Sequence, residues 1–494
     1  MNLTHQNSRI IFGLKVRQIR MEREMSFKDL SKAASMSVSY LNEIEKGKKS
    51  PKQDKIRTLA EALGTTYEDL VSPHMSGKLA AVGELLHSNL LNELPLDLFG
   101  IELSKVVDII ANAPLRVGAF ISTLVELSRN FAVKEENFYF NAVRAYQELH
   151  YNYFEDTEKA IEAFIKTYKL PTNRAVPVNL LANILKKHFG YEIEEKNLAD
   201  FPELQHLRSV FIPKKKKLYL NPQLNEKQKA LQLGKELAYN YLKLKERINT
   251  SSFLRVDNFQ VVLNNYTAGY FAVGLLVQKE AFKKDLQYFF QQTAWDKSYL
   301  LQLLLKYDVS PEVLFQRFNL LPKHFNMPKL FFMRVIHDAE SNTFQIDKEL
   351  HLNRQHEPHA NNLEEHYCRR WLSISQLKQL ADNAQTSEQV EVGVQLSKYT
   401  ETEEEYFCIT IARPAYFPFK KNVSVTIGLL ADKQLREQIS FLNDPAIPRK
   451  KVSVTCERCP ISNCAERAAP PVAIQKRGRK IEMEAALERL TKGS

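Results

Sequence analysis

The segment MSFKDLSKAASMSVSYLNEIEKGKKSPKQDKIRTLAEALGTTYEDL, residues 25–70, constrains the fold more than any other part of the chain. Ser26 can cap a helix from its N-terminal side. Asp29, three residues later, can return the bond as a variant of the capping box, and Met25 with Leu30 can staple the helix entry. Leu30, Ala33 and Ala34 then line one face, and Ser35-Met36 makes a tight turn. Ser37 caps a second helix, VSYLNEIEKGK, whose Leu41 and Ile44 face inward. Gly47 stands where a left-handed residue ends that helix. Ser50-Pro51 predicts the start of the next, a cap followed by a proline in the first helical position. Caps, turn, glycine and apolar spacing agree, so residues 10–72 read as a domain of five short helices.

Two helices joined by such a turn form a helix-turn-helix, and over about sixty residues the segment resembles the Xre, or phage-repressor, family. The family usually carries Gln where Phe27 stands and Gly where Ser35 stands. The first departure removes a common phosphate contact, and the second asks a serine to adopt a strained turn conformation. The resemblance implies that Ser37, Val38, Ser39 and Asn42 project toward the DNA major groove. Asn42 would pair with an adenine edge and Val38 would touch a thymine methyl. Lys48, Lys49 and Lys52 would lie near phosphates. The formal charge of +11 agrees with a nucleic-acid partner, although a solvated basic surface accounts for it as well.

Beyond this domain the chain reads as multidomain. Residues 73–170 keep a helical apolar rhythm, clearest in FYFNAVRAYQELHYNYFEDTEKAIEAFIKTY, and form an all-α connector. The run YKLPTNRAVPVN marks a boundary. Residues 177–320 combine helices with a hairpin, SVFIPKKKKLYL, as an α+β domain. Residues 328–471 turn β-rich, in LFFMRVIHD, TFQID, YFCITIARP, VSVTIGLL and KVSVTC. Residues 472–494 form a basic tail with a terminal helix. The N-terminus has no basic stretch followed by an apolar run, so no secretory leader is expected, and no segment is apolar for long enough to span a bilayer. Five cysteines in 494 residues are too few for a disulfide scaffold, and a reducing cytoplasm is the expected compartment.

The helix LQLGKELAYNYLKLK, Leu231 to Lys245, has the frame of the zinc motif His-Glu-x-x-His, in which two imidazoles four residues apart reach one metal and Glu serves as base. Here Lys235 and Tyr239 replace both histidines and only Glu236 remains. Lys235 would repel a divalent ion and Tyr239 is a poor zinc ligand, so hydrolysis by this route is excluded and no enzymatic activity is expected. With the hairpin before it and NNYTAGYFAVGLL after it, the region resembles the ImmA/IrrE-like metallopeptidase fold. Active members place a third, carboxylate ligand where Thr267 stands, just before the Ala268–Ala272 run. All three metal positions are lost together, which fits a pocket reassigned to another ligand. Its lining would be Lys235, Glu236, Tyr239, Thr267 and Tyr270, although a half-exposed helix face explains the first three equally well.

The run TCERCPISNCAER brings Cys456, Cys459 and Cys464 close together, and three thiolates so near can converge on one ion or cluster. Cys368 is the best candidate for a fourth ligand, with His366 the weaker choice and Cys408 an ordinary buried strand residue. Four thiolates suit an iron–sulfur cluster or structural zinc, and the residues do not choose between them.

The whole combination resembles one family: an Xre domain, a helical connector, a zinc-free IrrE-like domain and a cysteine-containing C-terminal domain. These are the transcriptional regulators that respond to short-chain fatty acyl groups in propionate and glyoxylate metabolism. The resemblance implies short-chain acyl-CoA as effector, an operator in double-stranded DNA, control of short-chain fatty acid metabolism, and a homo-oligomer of two or more subunits. It also suggests that Lys214 to Lys217 on the hairpin attract the coenzyme's phosphates, though a solvated turn is as simple an account. Two other readings are a site-specific peptidase that cleaves a repressor, against which positions 235, 239 and 267 argue, and a phage-immunity or toxin–antitoxin component acting through protein contacts.

Overall fold

The structure, a computed structural model, describes residues 3–72, 135–195, 201–254, 256, 258–352, 365–382, 389–415 and 421–492. Most of the expected connector, residues 73–134, lies outside the described residues. The chain divides into two compact units, one of residues 1–146 with 256–259 and one of residues 147–255 with 260–494.

In the first unit, α1 (Leu3–Glu22), α2 (Phe27–Ala33), α3 (Val38–Glu45), α4 (Gln53–Ala62) and α5 (Tyr67–Val71) surround a small core. Val16, Leu30, Leu41, Ile44, Leu59 and Leu63 are fully buried in it. The local signals act as the sequence predicts. Ser26 and Asp29 exchange the two bonds of a capping box, and Ser37 accepts from the Tyr40 amide. Ser35 takes φ +50° in the turn and Gly47 takes φ +65° after α3. A Cβ on Gly47 would fall 2.9 Å from Ile10 Cγ1, so packing as well as conformation demands glycine there. The expected start of α4 is corrected: the helix begins at Gln53 with Lys52 as its cap. Pro51 is buried and belongs to the packed turn, not to the first helical position.

The second unit opens with helices Glu155–Tyr168 and Val178–Phe189, followed by a three-stranded sheet. There β3 (Lys217–Leu220) lies between β1 (Glu192–Glu194), its parallel partner, and β2 (Ser209–Ile212), its antiparallel hairpin partner. Helices Glu226–Tyr241, Phe259–Leu276, Lys279–Phe290 and Lys297–Tyr307 follow. Gly234 lets the first two approach closely, since a Cβ there would sit 2.9 Å from that of Ala272.

A six-stranded sheet completes the unit in the order β5-β4-β8-β7-β6-β9. Its strands are β4 (Leu330–Asp338), β5 (Thr343–His351), β6 (Glu391–Tyr399), β7 (Glu405–Pro414), β8 (Lys421–Leu430) and β9 (Arg449–Val452). Alternation sends its side chains to two covered faces. Phe331, Met333 and Val335 pack under the helix Leu372–Asp382. Phe332, Leu350, Ile411 and Val425 join the core of the preceding helices, so the segments 177–320 and 328–471 share one continuous core.

Candidate functional site

The turn and α3 present one open edge. Ser37, Val38 and Ser39 are exposed, Val38 by 42%, and Asn42 is half-buried. Lys48, Lys49 and Lys52 are exposed beside them. Lys49 is engaged within the domain, its Nζ 3.0 Å from Glu43. Two residues that the sequence reading passed over belong to the same edge. Tyr40 lies on α3, and Lys55 Nζ stands 4.6 Å from its ring centroid. Together with the turn they enclose a hollow of about 380 Å³. In the sequence Lys55 is one cation in a long basic run, and only the fold singles it out.

The helix Glu226–Tyr241 holds a closed polar cluster. Lys235 Nζ donates to Asn265 Oδ1 at 2.7 Å, and Tyr239 OH donates to the same oxygen at 3.2 Å. Glu236 accepts from Tyr191 OH at 2.9 Å and from Arg247 Nη2 at 2.6 Å. The Arg247 guanidinium lies 4.0 Å over the Tyr239 ring and 4.4 Å over that of Phe211. The remaining hollow beside Lys235, Glu236 and Tyr239 has a volume of about 10 Å³, enough for one water and far too little for a coenzyme A thioester. The pocket expected at these positions is thus filled by their own side chains.

Thr267 and Tyr270 do not line that hollow. Thr267 turns its hydroxyl onto its own helix, donating to Leu263 O at 2.9 Å. Tyr270 donates to Glu158 Oε1 at 2.8 Å, and Glu158 is fully buried in an ion pair with Arg317. The hairpin lysines are also redistributed. Lys217 pairs with Glu192 and Glu194, and Lys216 donates to Phe189 O, while Lys214 and Lys215 are exposed.

Beyond the hollow the sequence reading missed a group of cations. Three of them are paired: Arg247 with Glu236, Arg413 with Glu312 at 2.6 Å, and Arg334 Nε with Asp347 at 2.8 Å. A bulge makes the last pair possible, because Arg334 faces Lys348 and Val335 faces Ile346, leaving Asp347 as the extra residue. Arg208, Lys235 and Lys348 have no ion pair among the described residues. Although the Lys348 side chain keeps exposed surface, loss of water around its ammonium first, and then neighbouring cations with Arg334 foremost, pushes it down to about 8. Lys235 is likewise held at about 8 by burial, with Lys348, Arg247 and Arg208 as its cationic neighbours.

In the cysteine loop, two segments are stitched together by the bridge Tyr367↔Thr455 and by the amides of Cys368 and Cys456, which donate to Val454 O and His366 O. Cys368, Cys456 and Cys459 are buried, and Cys464 is half-buried. Burial raises the Cys368 thiol to about 11, and Cys456 and Cys459 add to the rise. The Ala468 amide donates to Cys456 Sγ at 3.3 Å, and Arg467 ties down the loop through the carbonyls of Cys456 and Cys459. In donor type these residues, four cysteines, are those that hold iron–sulfur clusters or structural zinc. Among the described residues, however, no three His, Cys, Asp or Glu side chains converge closely enough to hold a metal ion. His366 is taken up by Glu457, Nδ1 to Oε1 at 2.8 Å. Cys408 is buried in β7, with burial raising its thiol to about 12.

Comparison with known proteins bears on the first unit. Residues 16–70 match the family model HTH_3, helix-turn-helix. The HTH-type transcriptional regulator DdrOP3 of Deinococcus deserti is 37% identical over 57 residues, which are 12% of this chain and 44% of that protein. The control protein C.BamHI of Bacillus amyloliquefaciens is 36% identical over 66 residues, 13% of this chain and 82% of that protein. A solved structure of a Mycobacterium tuberculosis transcriptional regulator is similar at 18% identity and a TM-score of 0.46, covering 67% of this chain and 94% of that one. The chain thus spans less than half the length of the first of these relatives. Among the described residues no helix is long and apolar enough to cross a membrane.

Proposed function

The chain belongs to the helix-turn-helix family through residues 16–70, and on that premise we propose that it is a sequence-specific DNA-binding transcriptional regulator. The observation that carries this reading is the open edge of α3. Its exposed Ser37, Val38 and Ser39 and half-buried Asn42 stand at the start of a capped helix, flanked by Lys48 and Lys52. A helix held in this way can enter the major groove while the lysines neutralise phosphates. Two copies reading two half-sites make a dimer or larger assembly part of the proposal. The test is operator selection from a random DNA pool, followed by binding to the selected sequence with and without competitor DNA. Failure to enrich any sequence overturns it.

The proposed effector is a short-chain acyl-CoA, with genes of short-chain fatty acid metabolism as the regulated set. Support comes from the resemblance of the full segment order to regulators of that type. The hollow beside Lys235 and Tyr239 has room for one water only, so the effector is proposed to bind elsewhere. The same side chains leave no imidazole to hold zinc, which favours regulation over peptidase activity; zinc-dependent cleavage of a protein by the pure chain would reverse that preference. Cys456, Cys459 and Cys464 with Cys368 are proposed to hold an iron–sulfur cluster or structural zinc, which would supply redox sensitivity or a structural clamp respectively. Titration of operator-bound protein with propionyl-CoA, alongside iron and zinc analysis, tests both parts.

A further inference from the structure

A larger hollow in the second unit is lined by the helix Glu155–Tyr168, the loop after it and the first turns of the helix Lys279–Phe290. Its volume is about 570 Å³, within the usual range of small-molecule sites. The floor is apolar: Ile161 and Leu170 are buried, and Ile165 and Ala281 are half-buried. Its parts are fixed in place. Ile161 packs onto Gly274, where a Cβ would fall 2.4 Å from Ile161 Cδ1. The loop wall is shaped by Lys169 and Asn173, left-handed at φ +51° and +63°, and is pinned by buried Gln278, whose amide nitrogen donates to Pro171 O at 2.7 Å. The hollow thus exists before a ligand enters it, and filling it costs little ordering.

The charges on the lining do not balance. Each of its acids is already matched: Glu158 is buried against Arg317, Nη2 to Oε2 at 2.9 Å, Glu162 pairs with Lys279, and Glu280 pairs with Lys283 at 3.3 Å. Lys166, Lys169 and Lys284 line the same hollow and have no ion pair among the described residues. The helix Lys279–Phe290 begins there without a side-chain cap, so the amides of its first turn add donors of the same sign. We propose that this hollow binds a small amphipathic anion, an apolar chain joined to a phosphate monoester. The chain lies on Ile161, Ile165, Leu170 and Ala281, and Lys166, Lys169 and Lys284 supply the counter-charge to the phosphate. A lone carboxylate would meet less of that charge. The site deepens the effector half of the proposed function and rests on that reading for its regulatory role, but it does not require the ligand to be a thioester.

The test uses the full chain and hexyl phosphate as probe, read by calorimetry, with inorganic phosphate and hexanoate as comparisons. Hexyl phosphate should bind at least about tenfold tighter than inorganic phosphate, a factor that roughly two buried methylene groups supply. It should also bind tighter than hexanoate, which carries less charge. The double variant Lys166→Gln, Lys284→Gln should raise its Kd about tenfold. Lys186→Gln, at an exposed lysine outside the lining, should leave it unchanged. Ala281→Phe, which fills the floor, should abolish binding in a protein that still melts cooperatively. No binding at millimolar hexyl phosphate, equal affinity for either comparison, an unchanged Kd in the double variant, or an equal loss in Lys186→Gln would each overturn the proposal. Operator binding and its response to propionyl-CoA are read separately on the same samples. A protein that responds to propionyl-CoA but leaves hexyl phosphate unbound loses this inference alone, and one that binds hexyl phosphate in the hollow without responding to propionyl-CoA loses only the effector reading.

Discussion

The guanidinium of Arg20 on α1 grips Glu45 at the end of α3 through two parallel bonds, Nε to Oε1 at 2.6 Å and Nη2 to Oε2 at 2.9 Å. Both side chains are largely removed from solvent, and Arg20 also donates to Met25 O and lies over the Phe27 ring. The pair holds α3 to α1, so on the proposed DNA-binding reading the angle at which α3 meets DNA would depend on it. Glu45→Ala leaves a cation without its partner and should cost about 3 kcal/mol in the stability of the first unit. The expected result is an earlier unfolding transition, with operator affinity falling even at temperatures where the variant remains folded. Arg20→Lys should fall between the two, since an ammonium cannot make both bonds. Equal melting of wild type and Glu45→Ala would remove the pair from this role.

On the exposed edge of α3, Asn42 and Lys48 should separate by the kind of binding they affect. Asn42→Ala is expected to weaken selected-operator binding by about 1–3 kcal/mol and to leave competitor binding nearly unchanged, as for a lost base contact. Lys48→Ala should weaken both and reduce the slope of log affinity against log salt by about 1. Fluorescence anisotropy across a salt series measures all four quantities. If both variants weaken operator and competitor alike, Asn42 touches backbone and the edge is docked differently.

The helix-turn-helix was legible in the sequence because its determinants are local. Ser26, Ser37 and Gly47 each act within a few residues, and the fold places all three as their types predict. The start of α4 was misjudged because the role of Pro51 is set by burial, a tertiary property. That Lys235 and Tyr239 share one helix face was also legible, since they fall one helical turn apart. Their partners were not, because Asn265 and Arg247 come from segments with no periodic relation to that helix. The strand β6 and the helix Leu372–Asp382 were missed between stronger β signals, though EVGVQLSK does alternate.

The depressed ammonium groups give a pH dependence of definite sign. Lys235 and Lys348 sit at about 8 in the folded chain against an ordinary 10.5. Lys348 faces Arg334, Arg208, Asp347 and Glu312; Lys235 faces Glu236, Lys348, Arg247 and Arg208. Between these values the unfolded chain binds more protons than the folded one, so their destabilising effect is complete below about 8 and disappears as pH rises toward 10.5. Wild type should therefore gain stability relative to Lys348→Gln on going from neutral to alkaline buffer, as read by denaturant midpoints of the two proteins side by side. A constant difference between them would show that Lys348 carries no such penalty.

The cysteine loop allows a test that separates ligands from bystanders. Cys456 and Cys459 lie on a loop pinned by Arg467 and stitched to the Cys368 segment through backbone bonds, whereas Cys408 is sealed within β7. A thiolate-held centre would draw Cys464 in from its half-buried position, and its binding energy would be folding energy for the loop. Cys459→Ser should then lower the iron or zinc content of purified protein and destabilise the second unit, while DNA binding by the first unit persists. Cys408→Ser should leave metal content unchanged. Chelator should act as Cys459→Ser does if zinc is held, and oxidant should do so if the group is iron–sulfur. The basic run Lys476, Arg477, Arg479 and Lys480 begins soon after the loop, in the helix Val472–Lys492, whose first turn is tied back by the Ala473 amide donating to Glu457 O. Loosening the loop should free that helix and raise non-specific DNA affinity through the added cations. Metal content unchanged in Cys459→Ser, or abolished in Cys408→Ser, would show that this loop does not supply the ligands.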